Sequence, residues 1–272
     1  MKILNLDYAN CLTELPDTSS LLNLEKLSFE NCENLITIDE SVGFLDKLKV
    51  LSAKGCSKLK RFPPIKLRSL EKLNISFCAN LESFPEILGK MENMTNLVLE
   101  ETPLKELPYS FQNLTHLQTL QLRHCGMLKL PSSIVTMPKL VQIIGSAAKG
   151  LKFSKLNAGE CLQTVFSNVE CLRLTNCNLS DEFVPITLTW FVNVKELNLS
   201  YNNFTILPEC IKECHLLRDL SLDGCKYLRE VRGIAPNLKR FTARQSKLLT
   251  RTEMLLNQVF LIVFFINIIY DL

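Results

Sequence analysis

Leu70-Glu71-Lys72-Leu73-Asn74-Ile75-Ser76-Phe77-Cys78-Ala79-Asn80-Leu81-Glu82-Ser83-Phe84-Pro85 reads L-x-x-L-x-I-x-x-C-x-x-L-x-x-F-P. The same order of residue types returns upstream as Leu48, Leu51, Ala53, Cys56, Leu59, Phe62 and Pro63. Before that it runs through Leu24, Leu27, Phe29, Cys32, Leu35 and Ile38. Working outward, units begin at 1, 24, 48, 70, 94, 117 and 140, and again at 169, 194, 217 and 238. In L-x-L the two apolar side chains point to one face and the middle one to the other, because side chains alternate along a strand. One unit cannot bury its leucines alone, whereas stacked neighbours bury them in a continuous core.

A period of 21 to 25 residues, stretched once to 29, lies in the leucine-rich-repeat range. The expected fold is therefore an α/β leucine-rich-repeat solenoid (a horseshoe) of about eleven repeats. Its parallel β-sheet lines the concave side, and its convex side is irregular or made of short helices. The period also accounts for the composition, in which 51 of 272 residues are leucine. Such a chain buries a large core, which excludes wholesale disorder. A net charge of +3 excludes a strongly basic nucleic-acid binder.

Six of the eleven cysteines (Cys32, Cys56, Cys78, Cys125, Cys177 and Cys225) share one repeat position, three residues after the last strand leucine. Asn202, Thr102 and Ser246 hold that position elsewhere. All are small groups able to donate a hydrogen bond to loop carbonyls where the chain turns inward. This assigns the cysteines to a structural ladder of reduced thiols, which implies an intracellular compartment, cytoplasmic or nuclear. The Leu-Pro pairs at 15–16, 107–108, 130–131 and 207–208 end the inward-facing stretch.

Nothing catalytic converges in the sequence. No G-x-x-x-x-G-K-[ST], G-x-S-x-G or H-E-x-x-H run is present. Cys210, Cys214 and His215 lack a second half that would make a zinc site. The Asn-x-Ser/Thr sequons arise largely from the repeat itself. The expectation is a binding protein without enzymatic activity, metal or cofactor.

The chain divides into a first block of repeats (1–142), an irregular insert or decayed repeat (143–168), a second block (169–250) and an apolar tail (251–272). Gly145 stands where a strand leucine belongs, and Gly145-Ser146-Ala147-Ala148 reads as a loop. Residues 259–270 are uncharged but shorter than the ~20 a spanning helix needs. A membrane tail anchor is the minor reading and translated intron or an altered gene model the main one. In either case V-F-L-I-V-F-F-I is an aggregation-prone window. No polar cap is visible at either end, so poor solubility is expected for the chain alone.

Strand alternation places a candidate binding face on the concave side: Lys26, Glu30, Lys54, Lys72, Asn74, Glu100, Gln121, Arg123, Arg173, Glu196, Asp219, Asp223, Arg240 and Arg244. The charges change sign along the row. That suits a protein partner better than a phosphate backbone, which would need a sustained basic stripe.

The Cys-bearing unit resembles that of plant intracellular immune receptors of the TIR–nucleotide-binding–leucine-rich-repeat class. Three phrases carry the likeness: Asn176-Cys177-Asn178-Leu179-Ser180-Asp181-Glu182-Phe183, Asn202-Asn203-Phe204-Thr205-Ile206-Leu207-Pro208, and Asp223-Gly224-Cys225-Lys226-Tyr227-Leu228-Arg229-Glu230. The match covers about 1–258 and is similar to the legume members described as tobacco-mosaic-virus-resistance-like. The resemblance implies pathogen recognition and defence signalling, with an effector or other receptor domains as protein partners. No TIR or nucleotide-binding domain lies in this chain, so no NADase site and no ADP or ATP site is carried over. Two other readings stay open: a regulatory scaffold such as a ubiquitin-ligase substrate adaptor, and a non-functional receptor fragment.

Overall fold

The computed structural model describes residues 1–153 and 167–246, together with the backbone of 251–252. The tail beyond Thr252 and residues 154–166 of the expected insert lie outside the described residues. The L-x-L of each unit forms a short concave strand, and these strands are numbered here in chain order. They are β1 (Ile3–Asn5), β2 (Lys26–Ser28), β3 (Val50–Ser52), β4 (Lys72–Asn74), β5 (Asn96–Glu100), β6 (Thr119–Arg123), β7 (Gln142–Ser146), β8 (Cys171–Thr175), β9 (Glu196–Asn198), β10 (Asp219–Ser221) and β11 (Arg240–Thr242). All pairings are parallel and join sequence neighbours in repeat register, for example Leu27 with Leu51 and Leu51 with Leu73. The ladder comprises a four-stranded sheet, β1–β4, and a seven-stranded sheet, β5–β11.

The strand leucines point into one elongated core that runs the length of the array. Leu27, Leu51, Leu97, Leu120, Leu172 and Leu197 are all buried in it. The convex side is built from two-residue parallel pairs, such as Ile206–Leu207 with Glu230–Val231, and from short 3₁₀ turns. Three of those turns, Tyr109–Asn113, Ser132–Thr136 and Glu209–Glu213, follow directly on Pro108, Pro131 and Pro208, whose φ values are −68°, −71° and −73°. The proline of each Leu-Pro pair thus presets the angle at which the chain enters its convex turn. Among the described residues one α-helix, α1 (Phe183–Trp190), replaces a 3₁₀ turn in the unit begun at Val169.

The boundary drawn at 143 falls inside β7, which pairs with both β6 and β8. The sheet is therefore continuous across the position where the sequence suggested a division into blocks. Gly145 keeps the strand because its missing side chain is compensated from outside. A Cβ there would stand 3.0 Å from Leu174 Cδ2 and 3.2 Å from Cys177 Sγ. Those neighbours fill the leucine slot. Ser146, read as loop, is the last residue of β7, and Lys152–Phe153 pairs with Lys129–Leu130 on the convex side. The interruption in the concave ladder lies instead between β4 and β5.

Immediately before the cysteine position the backbone must reverse. Tyr8, Asn31, Gly55, Phe77, Glu101, His124, Ala147, Asn176, Tyr201, Gly224 and Gln245 all take φ between 48° and 74°. The left-handed residue's own N–H reaches the neighbouring repeat, as in Tyr201 N–H to the Asp223 carbonyl (2.7 Å). The reversal turns the next N–H back into its own repeat, as in Cys225 N–H to the Leu222 carbonyl (3.3 Å). Only glycine adopts this conformation without cost. At Gly224 a second demand is added: a Cβ would lie 2.4 Å from Cδ1 of Tyr201, whose ring covers it.

Candidate functional site

The concave face carries the middle residue of every L-x-L and the residues on either side; the middle residues are at least partly exposed except Ser28 and Ser52, which are buried. Position by position, neighbouring strands pair these residues directly, so side chains interact across repeats. In the C-terminal half, Arg173 on β8 bonds Glu196 on β9 (Nη2 to Oε2, 3.0 Å), and Arg240 on β11 pairs with Asp219 on β10. The Arg240 hydrogen bond holds the Asp219 carboxyl below its ordinary pKa. Glu196 and Asp219 are themselves register partners. The two acids therefore sit side by side, each flanked by an arginine from the outer strand. With Asn198, Ser221 and Thr242 these four charged residues line a shallow pocket of about 270 Å³. Asp223 accepts a hydrogen bond from the Arg244 N–H (2.8 Å).

The N-terminal half is ordered by hydroxyl-to-carboxylate bonds between repeats. Ser28 Oγ donates to Asp7 (2.6 Å) and Ser52 Oγ donates to Glu30 (2.5 Å). The Lys54 ammonium stands 5.4 Å over the ring of Phe77. Lys26 and Lys72 occupy equivalent register positions on either side of Val50. Asn74 accepts from the Ser76 N–H (3.2 Å), and Arg123 donates to Gln121 (2.8 Å). Glu100 ends β5 opposite Arg123. On the middle strands Val98, Thr119, Gln142 and Ile144 are uncharged, beside the charged pair Glu100 and Arg123 at the strand ends. All fourteen residues read from the sequence as the concave face lie along this row. They do not converge on one point, and the four of the C-terminal pocket are the ones drawn together. Among the described residues no group of three His, Cys, Asp or Glu could hold a metal ion.

The ladder position lies beneath this face, and its chemistry is uniform. Cys32 Sγ donates to the Leu6 carbonyl (3.1 Å), Cys56 to Phe29 (3.1 Å) and Cys78 to Ala53 (3.2 Å). Cys125 donates to Leu99 (3.3 Å), Cys225 to Leu199 (3.3 Å) and Ser246 Oγ to Leu222 (3.0 Å). Each acceptor is the second apolar residue of the L-x-L in the preceding repeat, next to the strand end. Cys177 donates within its own turn, to Thr175 (3.4 Å). Asn202 does more than any of them. Its Nδ2 donates to Leu174 (2.6 Å) and Leu199 (2.8 Å), while its Oδ1 accepts from the Cys177 and Leu179 N–H groups (3.0 Å each).

A family model for the leucine-rich repeats of RPS4B-like disease resistance proteins matches residues 66–240. The chain belongs to that family. The RPS4B-like repeats are 28% identical to TMV resistance protein N of Nicotiana glutinosa, over 88% of this chain and 25% of that protein. They are 30% identical to disease resistance protein RPP5 of Arabidopsis thaliana, over 87% of this chain and 15% of that protein. The chain thus spans a quarter or less of these relatives. Among solved structures, the leucine-rich-repeat domain of the type III effector XopL superposes with a TM-score of 0.55 at 19% identity, covering 89% of this chain and 76% of that one. The TLR13–ssRNA13 complex gives 0.54 at 18%, covering 92% and 44%. These two likenesses establish the fold.

In this chain the phrase Asn178-Leu179-Ser180-Asp181-Glu182-Phe183 has a mechanical reason. Asp181 ties its unit to the next: its carboxylate accepts from the Thr205 N–H (2.6 Å), the Thr205 hydroxyl (2.8 Å) and the Ile206 N–H (3.1 Å). Partial burial opposes ionisation, but these bonds outweigh it and lower the Asp181 pKa. A group whose folded pKa is depressed contributes above its unfolded pKa and loses that contribution as pH falls through the folded one. Asp181→Ala should therefore cost about 1 kcal/mol at neutral pH. The gap to the parent should stay constant down to about pH 4 and close below it. Urea melts of both proteins between pH 3 and pH 7 check this, and a gap that persists undiminished in acid would contradict it.

Burial also governs the thiols of this chain. It pushes Cys56 and Cys214 up to about 12, and Cys78, Cys177 and Cys225 up to about 11. Since the thiolate is the nucleophile, these cysteines should be inert in the folded chain. Native-state alkylation read by mass spectrometry should modify the exposed Cys11 first and the half-buried Cys171 and Cys210 slowly. The buried ladder should react only after denaturation. Early modification of Cys56 or Cys78 would show that the ladder opens. No described helix is long and apolar enough to cross a membrane, and residues 259–270 lie outside the described residues.

Proposed function

We propose that this chain is the protein-recognition region of a plant intracellular immune receptor, acting in the cytoplasm or nucleus. It binds a protein partner, a pathogen effector or another receptor domain, across its concave face, with no chemistry of its own. The observation that carries the reading is the face itself: charges of both signs along its length, a run of uncharged residues on the middle strands beside Glu100 and Arg123, and a shallow pocket between paired ions. Sign-mixed charge around a less polar middle is the anatomy of a protein interface. Membership of the disease-resistance repeats supports the same reading.

The test reverses charge at Lys54, Lys72 and Arg123 together, all on this face and none in the core. The parent chain is used to capture partners from pathogen-challenged leaf extract, and each captured protein is then titrated against both forms. Binding should weaken about tenfold or more. Undiminished affinity would move the site to the convex side or to residues 154–166.

A further inference from the structure

The concave ladder obeys one backbone rule at every repeat junction except one. On entering a strand, two successive N–H groups share a single carbonyl of the preceding repeat. Lys49 and Val50 donate to Glu25, Glu71 and Lys72 to Lys49, and so on to Lys239 and Arg240, which donate to Arg218. At the β4–β5 junction the rule fails: among the described residues neither Thr95 nor Asn96 donates to Glu71. The next rung is missing too. Ala53 N–H reaches the Asn74 carbonyl (2.8 Å), yet the equivalent Ile75 N–H does not reach Val98. The strand-exit rung is kept, Phe77 N–H to Glu100 (2.8 Å).

The convex side of the same junction is tied firmly. Asn113 accepts from the Met91 N–H (2.8 Å) and donates to the Ile87 carbonyl (2.7 Å). Phe84 and Phe111 meet edge to face with centroids 5.5 Å apart. The junction is therefore closed behind and at the strand-exit rim. At the strand entry it lacks both backbone rungs among the described residues and is held by one exposed side-chain bond, Asn93 Nδ2 to the Arg68 carbonyl (2.7 Å). In a stacked array the weakest interface divides the chain into units that move or open separately.

We propose that the β4–β5 junction is the hinge of the solenoid. The β1–β4 block rocks against the β5–β11 block about the Phe84–Phe111 tie, opening and closing the gap between Glu71 and Thr95. The curvature of the concave face is set there, and not by uniform bending of all the repeats.

Two measurements on the intact chain decide it. In native-state hydrogen exchange the amides of Ile75 and Asn96 should exchange at least tenfold faster than those of Ala53 and Thr119, which hold the equivalent rungs. Comparable rates would overturn the proposal. Spin-labelled noncanonical residues at 49 and 118 span the junction, and labels at 118 and 195 span an equal number of repeats without it. All three sites are the same repeat position, so the pairs are matched. Pulsed dipolar spectroscopy should give a distinctly broader distribution for 49–118. Equal widths, even with fast exchange at Ile75, would mean a static gap and would also overturn the hinge.

Discussion

Asn202→Ala should be the most damaging single change in the ladder, costing about 3–6 kcal/mol. The buried side chain serves two N–H groups, those of Cys177 and Leu179, and two carbonyls, those of Leu174 and Leu199. Its loss strands polar groups in a site where Asn202 is 1% exposed. Each stranded buried group costs about 1–3 kcal/mol. Cys225→Ala sets the scale: it removes one long S–H bond to Leu199 and a small volume, for about 1 kcal/mol. Asn202→Cys should fall between, because a thiol restores a donor but no acceptor for the two N–H groups. Denaturant midpoints of the three variants give the order. If Asn202→Ala costs no more than Cys225→Ala, water replaces the amide and the bonds are not what holds that turn.

Gly43→Ala is the second large effect, at about 3 kcal/mol, although it adds one methyl group. Gly43 is buried in the 3₁₀ turn Glu40–Phe44. A Cβ there would stand 2.0 Å from the Pro64 carbonyl oxygen and 3.2 Å from its carbon. Those are backbone atoms of the next repeat, held by the Lys66 N–H bond to Gly43 O (2.7 Å), so no side-chain rotation relieves the overlap. Either the turn or the Pro63-Pro64 segment must shift, parting two repeats. Gly126→Ala is the matched control, since nothing lies within 4 Å of its added methyl. It should change stability by less than ~0.5 kcal/mol. Thermal melts of both variants separate the outcomes, and equal melting temperatures would refute the close approach.

The leucine positions, the cysteine ladder and the Leu-Pro pairs were legible because each is a side-chain requirement repeated at fixed spacing. Repetition lets one weak signal be read many times. What escaped the sequence is set by the backbone or by volume. The left-handed position before each ladder residue carries Tyr, Phe, Glu, His, Ala and Gln as readily as Gly, so residue type gives it no signature. Gly145 looked like a break because its own side chain is missing, whereas Leu174 and Cys177 supply the volume from the neighbouring repeat. The interruption at β4–β5 has no mark of its own, since Thr95 and Asn96 are ordinary strand-entry residues. On the concave face, alternation located the row of outward residues. Which acid meets which arginine depended on register between repeats, and Arg173 with Glu196 became visible only once the strands were aligned.

The recurrent left-handed residue also bears on how such arrays tolerate change. Every repeat requires that conformation, yet only Gly55 and Gly224 adopt it freely on the ladder. Elsewhere the chain carries a small conformational debt, roughly a few tenths to 1 kcal/mol once the entropy of glycine is set against it. Asn31 and Asn176 carry least, Tyr8 and Phe77 most. The debt is spread along the rim, beside the row of outward residues, and meets it where the Phe77 ring lies under Lys54. It is a reserve of stability that substitution to glycine can release one repeat at a time, leaving room for the concave surface to diversify without loss of the fold.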